Sequence, residues 1–406
     1  MRVAFCWFGA AFILIAIGGP PATLGEGQEV PPFDVDQWLR GPDRKEFSWT
    51  VSASSSLTLQ QRHILRVTAI IPGKRLPVSN VGRDLHFVLK IAAADNRWIP
   101  GYSYTRVPVP PRLEKFHSVG FGDSVYLRPG RYTVALMVYD PVVKKGNLWR
   151  KQVRISTIDD DPLPELDRNL KYIQFMNPSG SLLAEGREWL PVRNKRRVCI
   201  DVVANAPVDP DHVAGRGYYP RTRQPLYYPR TRETLQASSV LSNLTLSNGQ
   251  IRVTILDALR MTTHFDREDA ASFDWQQAGD VLAHRDSTTI EKSLVAAQTE
   301  ASAYLCDRVN EILEDNACAP STDSPLRIVI FVSRQMVFPK HTEIRQVIPP
   351  NPEAVQFYYV SISELYRDDD LAEMLKRTKP RKMSGSDPFQ FRKDLADLIS
   401  YLKTLE

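Results

Sequence analysis

Arg196-Arg197-Val198-Cys199-Ile200-Asp201-Val202-Val203-Ala204-Asn205-Ala206 is the stretch from which the rest of the chain is read. It is apolar at nearly every position and shows no alternation. A strand with one wet face alternates apolar and polar residues, whereas a strand covered on both faces does not. The stretch therefore reads as a central parallel strand with helices on both sides. Asp201 stands out as an acidic residue near its C-terminal end.

Downstream, strand-like runs alternate with helical periodicity. A helix is expected from about Glu233 to Leu244, a strand over Gln250 to Leu256 and a short edge strand over Thr262 to Phe265. Ile290, Leu294, Ala297, Ala301, Leu305, Val309 and Ile312 recur at helical spacing, which predicts a helix over Thr289 to Leu313. Ile328 to Val332 and Val355 to Ile362 read as two more strands. Asp387-Pro388 opens a last helix, with Asp as its cap and Pro at its first position. Phe391, Leu395, Leu398 and Leu402 give that helix one apolar face. Such alternation implies an α/β doubly wound, Rossmann-type class for residues 194–406.

Upstream the period changes to two. Phe47, Trp49 and Val51 alternate with Ser48, Thr50 and Ser52. Arg62 to Ile71, Leu85 to Ile91, Tyr132 to Val138 and Trp149 to Ile155 are further strands, with a short one over Val125 to Leu127. Pro-Gly turns at Pro72-Gly73 and Pro129-Gly130 punctuate them. Residues 46–157 are thus expected to form an all-β sandwich. Leu127-Arg128-Pro129-Gly130-Arg131-Tyr132-Thr133-Val134 resembles the turn and strand of immunoglobulin-like modules, so the expectation is an Ig-like architecture. Residues 26–45 and 158–193 read as linkers, the second because of Asp159-Asp160-Asp161-Pro162-Leu163-Pro164.

At 406 residues the chain suggests two to three domains, and 43% hydrophobic with 24% charged residues makes global disorder a poor description. A formal charge of +5, spread along the chain, gives no case for nucleic acid. Residues 1–25 carry Arg2, an apolar run from Val3 to Ile17 and the small residues Gly18-Gly19-Pro20-Pro21-Ala22, the pattern of a secretory signal peptide. An uncleaved anchor is the competing reading. No later segment is long and apolar enough to cross a membrane. The expected location is secreted or periplasmic. Cys199, Cys306 and Cys318 remain in the mature chain. Cys199 reads as a small buried hydrophobe, and a Cys306–Cys318 bridge would close a small loop worth roughly 3 kcal/mol.

From about Arg196 to Glu406 the element order resembles a von Willebrand factor A domain, a fold used mainly for protein–protein adhesion, and its pairing with an Ig-like domain and a signal peptide resembles bacterial secreted proteins that carry such domains. The family's metal-ion-dependent adhesion site binds Mg²⁺ through an Asp-x-Ser-x-Ser loop, a Thr and a third-loop Asp, oxygen ligands suited to a hard cation. The resemblance puts Asp201 at the first Asp, Val203 and Asn205 at the serines, and Thr288 at the Thr. The third loop, Val332-Ser333-Arg334-Gln335, has no carboxylate. The implied site is degenerate, with no metal and no cofactor expected. Asp201 also reads as an acceptor of backbone N–H groups, and Thr288 with Glu291 as a capping box.

Tyr218-Tyr219-Pro220-Arg221-Thr222-Arg223 recurs as Tyr227-Tyr228-Pro229-Arg230-Thr231-Arg232. Tyrosine and arginine are enriched at binding hot spots, so the repeat is a candidate recognition element, with a solvated insertion as the alternative. No nucleophile elbow, zinc or phosphate motif is present, and the histidines are scattered. The reading is a non-catalytic interaction or adhesion protein whose partner is a protein or glycan of unknown identity. An extracytoplasmic hydrolase and a structural cell-envelope component are the alternatives.

Overall fold

The computed structural model describes residues 14–15, 30–76, 79–111, 117–164, 166, 173–175, 190–207, 229–283, 300–315, 325–338, 342–362 and 369–405. Two compact units divide the chain. The first comprises Met1–Ser56, Arg62–Asp159 and Lys171–Ser179; the second comprises Leu57–Gln61, Asp160–Leu170 and Gly180–Glu406.

The first unit is built from two sheets. One contains β1 (Leu14–Ile15), β2 (Thr50–Leu57), β3 (His63–Pro72), β6 (Ser118–Leu127) and β9 (Ile173–Phe175); the other runs β5 (Ser103–Val109), β4 (Arg83–Ala92), β7 (Gly130–Asp140), β8 (Lys145–Ile155). Pairing in the second sheet is antiparallel throughout. Alternate residues of both sheets meet in one core, including Leu65 and Val67 of β3, Leu85 and Phe87 of β4, and Val134 and Leu136 of β7. Phe87 and Phe121 stack across it with centroids 4.7 Å apart. The Pro-Gly turn is tied by Tyr132, whose hydroxyl donates to the Arg128 carbonyl at 2.8 Å. Fully buried Asn147 holds the incoming chain: its Oδ1 accepts from the Glu46 and Phe47 N–H groups, and its Nδ2 donates to the Phe47 carbonyl.

The second unit holds a six-stranded sheet in the order β14 (Thr262–Asp269), β13 (Gly249–Asp257), β11 (Val198–Asn205), β15 (Leu326–Ser333), β16 (Val355–Ser361), β17 (Arg381–Ser384). β11 lies parallel to both neighbours, and every residue of β11 and β15 is buried. A separate parallel ribbon pairs β10 (Leu190–Val192) with β12 (Leu244–Leu246). The helices are α2 (Pro229–Leu241), α3 (Trp275–Ala283), α4 (Ala301–Glu314), the short α5 (Asp370–Met374) and α6 (Pro388–Lys403). α6 starts as its sequence dictates: the Asp387 side chain accepts from the Phe389 N–H, and Phe391, Leu395, Leu398 and Leu402 are buried. The stretch read as a linker, 158–193, supplies Leu163, Leu166, Leu190 and Val192 to this unit's core. Its Asp161 takes a two-pronged contact from buried Arg392 at 2.7 and 2.6 Å.

The expected class of an Ig-like sandwich followed by an α/β doubly wound domain is corrected. The chain is mainly β, 42% strand against 23% helix, and most of its strands lie in antiparallel sheets. Among the described residues the second unit lacks a regular strand–helix repeat. β13 turns directly back into the antiparallel β14, β12 stands between α2 and β13 in its own ribbon, and among the described residues only α5 and a single 3-10 turn separate β16 from β17. The misreading has a physical cause: β14 is polar and largely solvated, so its sequence, read as a short edge strand, carries no signal of its length or of its antiparallel pairing with β13.

Candidate functional site at the carboxyl edge of the parallel strands

β11, β13, β15 and β16 end level with one another, with Asn205 opposite Leu256 and Ser333, and Ser333 opposite Ser361. Open parallel sheets bind ligands beyond such an edge. Asn205 is fully buried there. Its Oδ1 accepts from the Ala258 N–H at 3.1 Å, and its Nδ2 donates to Ser333 Oγ at 3.0 Å and Met336 Sδ at 3.1 Å. One amide thus fixes the chain leaving three strands. Asp257, also fully buried, accepts from the Arg260 backbone and guanidinium at 3.1 and 3.0 Å and closes the β13–β14 turn. Asp370 accepts from the Phe338 N–H at 2.7 Å.

Beside these, the Tyr359 hydroxyl donates to Asp369 Oδ2 at 2.8 Å, while Asp369 Oδ1 is buried with no partner among the described residues. Burial pushes the Asp369 carboxyl up, and its hydrogen bonds from Tyr359 and from the backbone only partly oppose this. Burial and then the neighbouring Asp369 charge push the Tyr359 phenol up, which keeps it a neutral donor. Chemically the edge is a set of pinned turns with one under-bonded carboxylate. Among the described residues no group of three His, Cys, Asp or Glu side chains could hold a metal ion.

Asp201, taken from the sequence as a strand-end ligand, sits mid-strand, opposite Val329 and four residues before Asn205. It is 3% exposed and accepts from Arg327 Nε at 2.8 Å. Arg327 also donates to the Leu313 and Asp315 carbonyls, and the Asp315 carboxylate takes Arg252 and Arg267 at 2.9 and 2.7 Å. Burial pushes the Asp201 carboxyl up, and the charge and hydrogen bond of Arg327, then Arg252 and Arg267, pull it back. Asp201 is thus a buried partner of Arg327 within the strand, four residues before the edge. The signal for this pairing was Arg327 itself, a charge inside the apolar run Leu-Arg-Ile-Val-Ile-Phe-Val, since a buried charge needs a counter-charge.

Val203, at the first serine position, is a fully buried core residue. Thr288 lies outside the described residues, as do Tyr218, Tyr219, Arg221, Arg223, Tyr227 and Tyr228. From Pro229 onward the second copy of the repeat is helical: Pro229 starts α2, Arg230 falls in its first turn, and Arg232 is helical and half-buried. The proposed Cys306–Cys318 bridge is corrected as well. Cys306 is a free, buried thiol on the inner face of α4, pushed up by burial, whereas Cys199 is disulfide-bonded to a partner outside the described residues.

No family model matches the chain, and no curated protein matches it. Solved structures with a detectable likeness include a family 123 glycoside hydrolase from Clostridium perfringens, 7% identical, with 83% of this chain and 72% of that one covered at a TM-score of 0.28. A Bacteroides uniformis beta-glucuronidase is 8% identical, with 82% and 39% covered and a TM-score of 0.20. A family 2 beta-glucuronidase is 11% identical at a TM-score of 0.20; the match covers 36% of this chain and 14% of that chain. At these values the likenesses carry no weight for activity. Among the described residues no helix is long and apolar enough to cross a membrane.

Proposed function

We propose that the protein is a non-catalytic interaction module that works outside the cytoplasm, secreted or periplasmic, without a metal ion. It binds an acidic protein partner at the carboxyl edge of the second unit. The tyrosine- and arginine-rich sequence repeat, residues 218–232, supplies the recognising side chains. The observation that carries this reading is Asn205, a buried amide that uses both its N–H groups and its oxygen to fix three strand ends. An edge whose strand ends are pinned in this way suits recognition. The position expected to open a metal site is occupied by an ion pair with Arg327, which favours metal-free binding. The disulfide at Cys199 favours an oxidising compartment.

The test is binding of poly-L-glutamate to the full chain and to a variant with Arg221, Arg223, Arg230 and Arg232 each changed to Gln. A loss of at least about tenfold in affinity is expected, because charge-assisted contacts at an interface are lost together. Unchanged affinity removes the proposal.

A further inference from the structure

The sheet β5-β4-β7-β8 has an outer face, turned away from the core of the first unit. Side chains on it fall in cross-strand rows. His86 lies between Arg106 and Tyr139, Val88 between Tyr104 and Met137, and Lys90 beside Ala135. The helix α1 (Val35–Arg40) covers the β7–β8 half, where Trp38 and Leu39 pack with Met137 and Leu148. Arg150 fastens its C-terminus by donating to the Trp38, Leu39 and Gly41 carbonyls. Gly146 admits the Trp38 ring, which any Cβ there would strike.

The β4–β5 half is different. Trp98, Tyr102 and Tyr104 are only partly buried, and His86 stacks on Tyr104 with centroids 5.9 Å apart and Nδ1 2.6 Å from the hydroxyl. Among them lies Lys90, 8% exposed. Its ammonium stands 5.7 Å from the centre of the Tyr102 ring and has neither an acceptor nor a counter-ion among the described residues. The neighbouring cations are already matched: Arg106 pairs with Asp84 and Arg97 with Asp95. Packing takes up the Lys90 stem, while the ammonium, held only against a ring face, is free to meet an anion brought by a ligand.

We infer that this half-face is a binding site for an acidic saccharide, a uronic-acid residue whose carboxylate meets Lys90 and whose ring lies on the tyrosine and tryptophan faces. One uncompensated cation calls for one carboxylate rather than a polyanion. Flat aromatic rings stack against the C–H face of a sugar, while the Tyr104 and His86 polar atoms serve its hydroxyls. An acidic peptide is the less favoured occupant. β4 is paired on both sides, and the free edge of β5 is interrupted by Pro108, which has no N–H to offer an added strand. The site lies in the first unit and is independent of the carboxyl-edge reading.

The experiment is calorimetric titration of the full chain with three defined probes: oligogalacturonate, oligomannuronate and hyaluronan oligosaccharides. Each is paired with its carboxyl methyl ester. Binding of at least one acid, weakened about tenfold or more in the ester and in Lys90→Met, is expected. Lys90→Met keeps the apolar stem and removes an unpaired charge, so it should melt no lower than the wild type. Tyr102→Leu, which keeps bulk without the ring, should weaken the same probe. Absence of binding to all three acids, equal binding by Lys90→Met, or Lys90-dependent binding of poly-L-glutamate in place of the saccharides would each overturn the inference.

Discussion

Asp123→Asn tests how the first unit manages a carboxylate it cannot fully satisfy. Asp123 lies on β6, where its Oδ1 accepts from the Ser124 N–H at 2.6 Å and its carboxylate takes a bond from the Ser103 side chain. Oδ2 is buried with no partner among the described residues. Burial pushes the carboxyl up from 3.8 to about 6, against the smaller opposing effect of those two hydrogen bonds. A carboxyl with its folded pKa above its unfolded value holds its proton more tightly when folded. Its stabilising contribution is therefore complete below about pH 4 and is lost as pH rises through about 6. About two pH units at roughly 1.4 kcal/mol each give a loss of at most about 3 kcal/mol. Asn keeps the Oδ1 acceptor and cannot ionise. Scanning calorimetry from pH 4 to 8 should show the variant melting above the wild type at pH 7.5, by up to about 10 °C for a unit of this size, and converging with it near pH 4. Parallel pH dependence in the two proteins, or a lower melting temperature for the variant at pH 7.5, would refute the reasoning.

Three further outcomes are expected. Arg327→Met strands Asp201 in the core and should cost about 3–5 kcal/mol in urea unfolding; adding Asp201→Asn should restore part of it, and a double variant no better than the single would argue against the pairing. Gly249 has φ +153° and its Cβ would collide with the Val198 carbonyl oxygen where β11 and β13 begin, so Gly249→Ala should lower the yield of folded protein or cost several kcal/mol on unfolding. Arg150→Ala leaves the α1 carbonyls without their donor, so limited proteolysis should cut between Asp34 and Lys45 faster than in the wild type while the main melting transition moves little.

Part of this structure was legible in the sequence. Val198–Asn205 announced a doubly covered strand because nothing in it alternates, and Asp387-Pro388 with the Phe391–Leu402 face announced α6. β5 went unread because Pro108 and the polar Ser103-Tyr104-Thr105-Arg106 mask its pattern. The chain's class was misjudged because apolar runs and helical spacing reveal elements, whereas the direction and pairing of a polar strand such as β14 depend on partners far away in sequence. Asp201 was read as a ligand for a related reason: the arginine that pairs with it is 126 residues away. The cysteines illustrate the same limit: the bridge reading took Cys306 by its spacing from Cys318, whereas the residue lies on the inner face of α4 with Leu305 and Val309, where it packs instead of pairing. Lys90 was invisible as a site because only the cross-strand register brings it to the tyrosines.

The measurement closest to the central claim is the affinity of the full chain for poly-L-glutamate in EDTA and again in millimolar Mg²⁺. Equal binding in both, lost in the four-arginine variant, is the result expected of a metal-free edge that recognises acidic partners through its arginines. Binding that appears only with Mg²⁺, or that survives removal of the arginines, would contradict it.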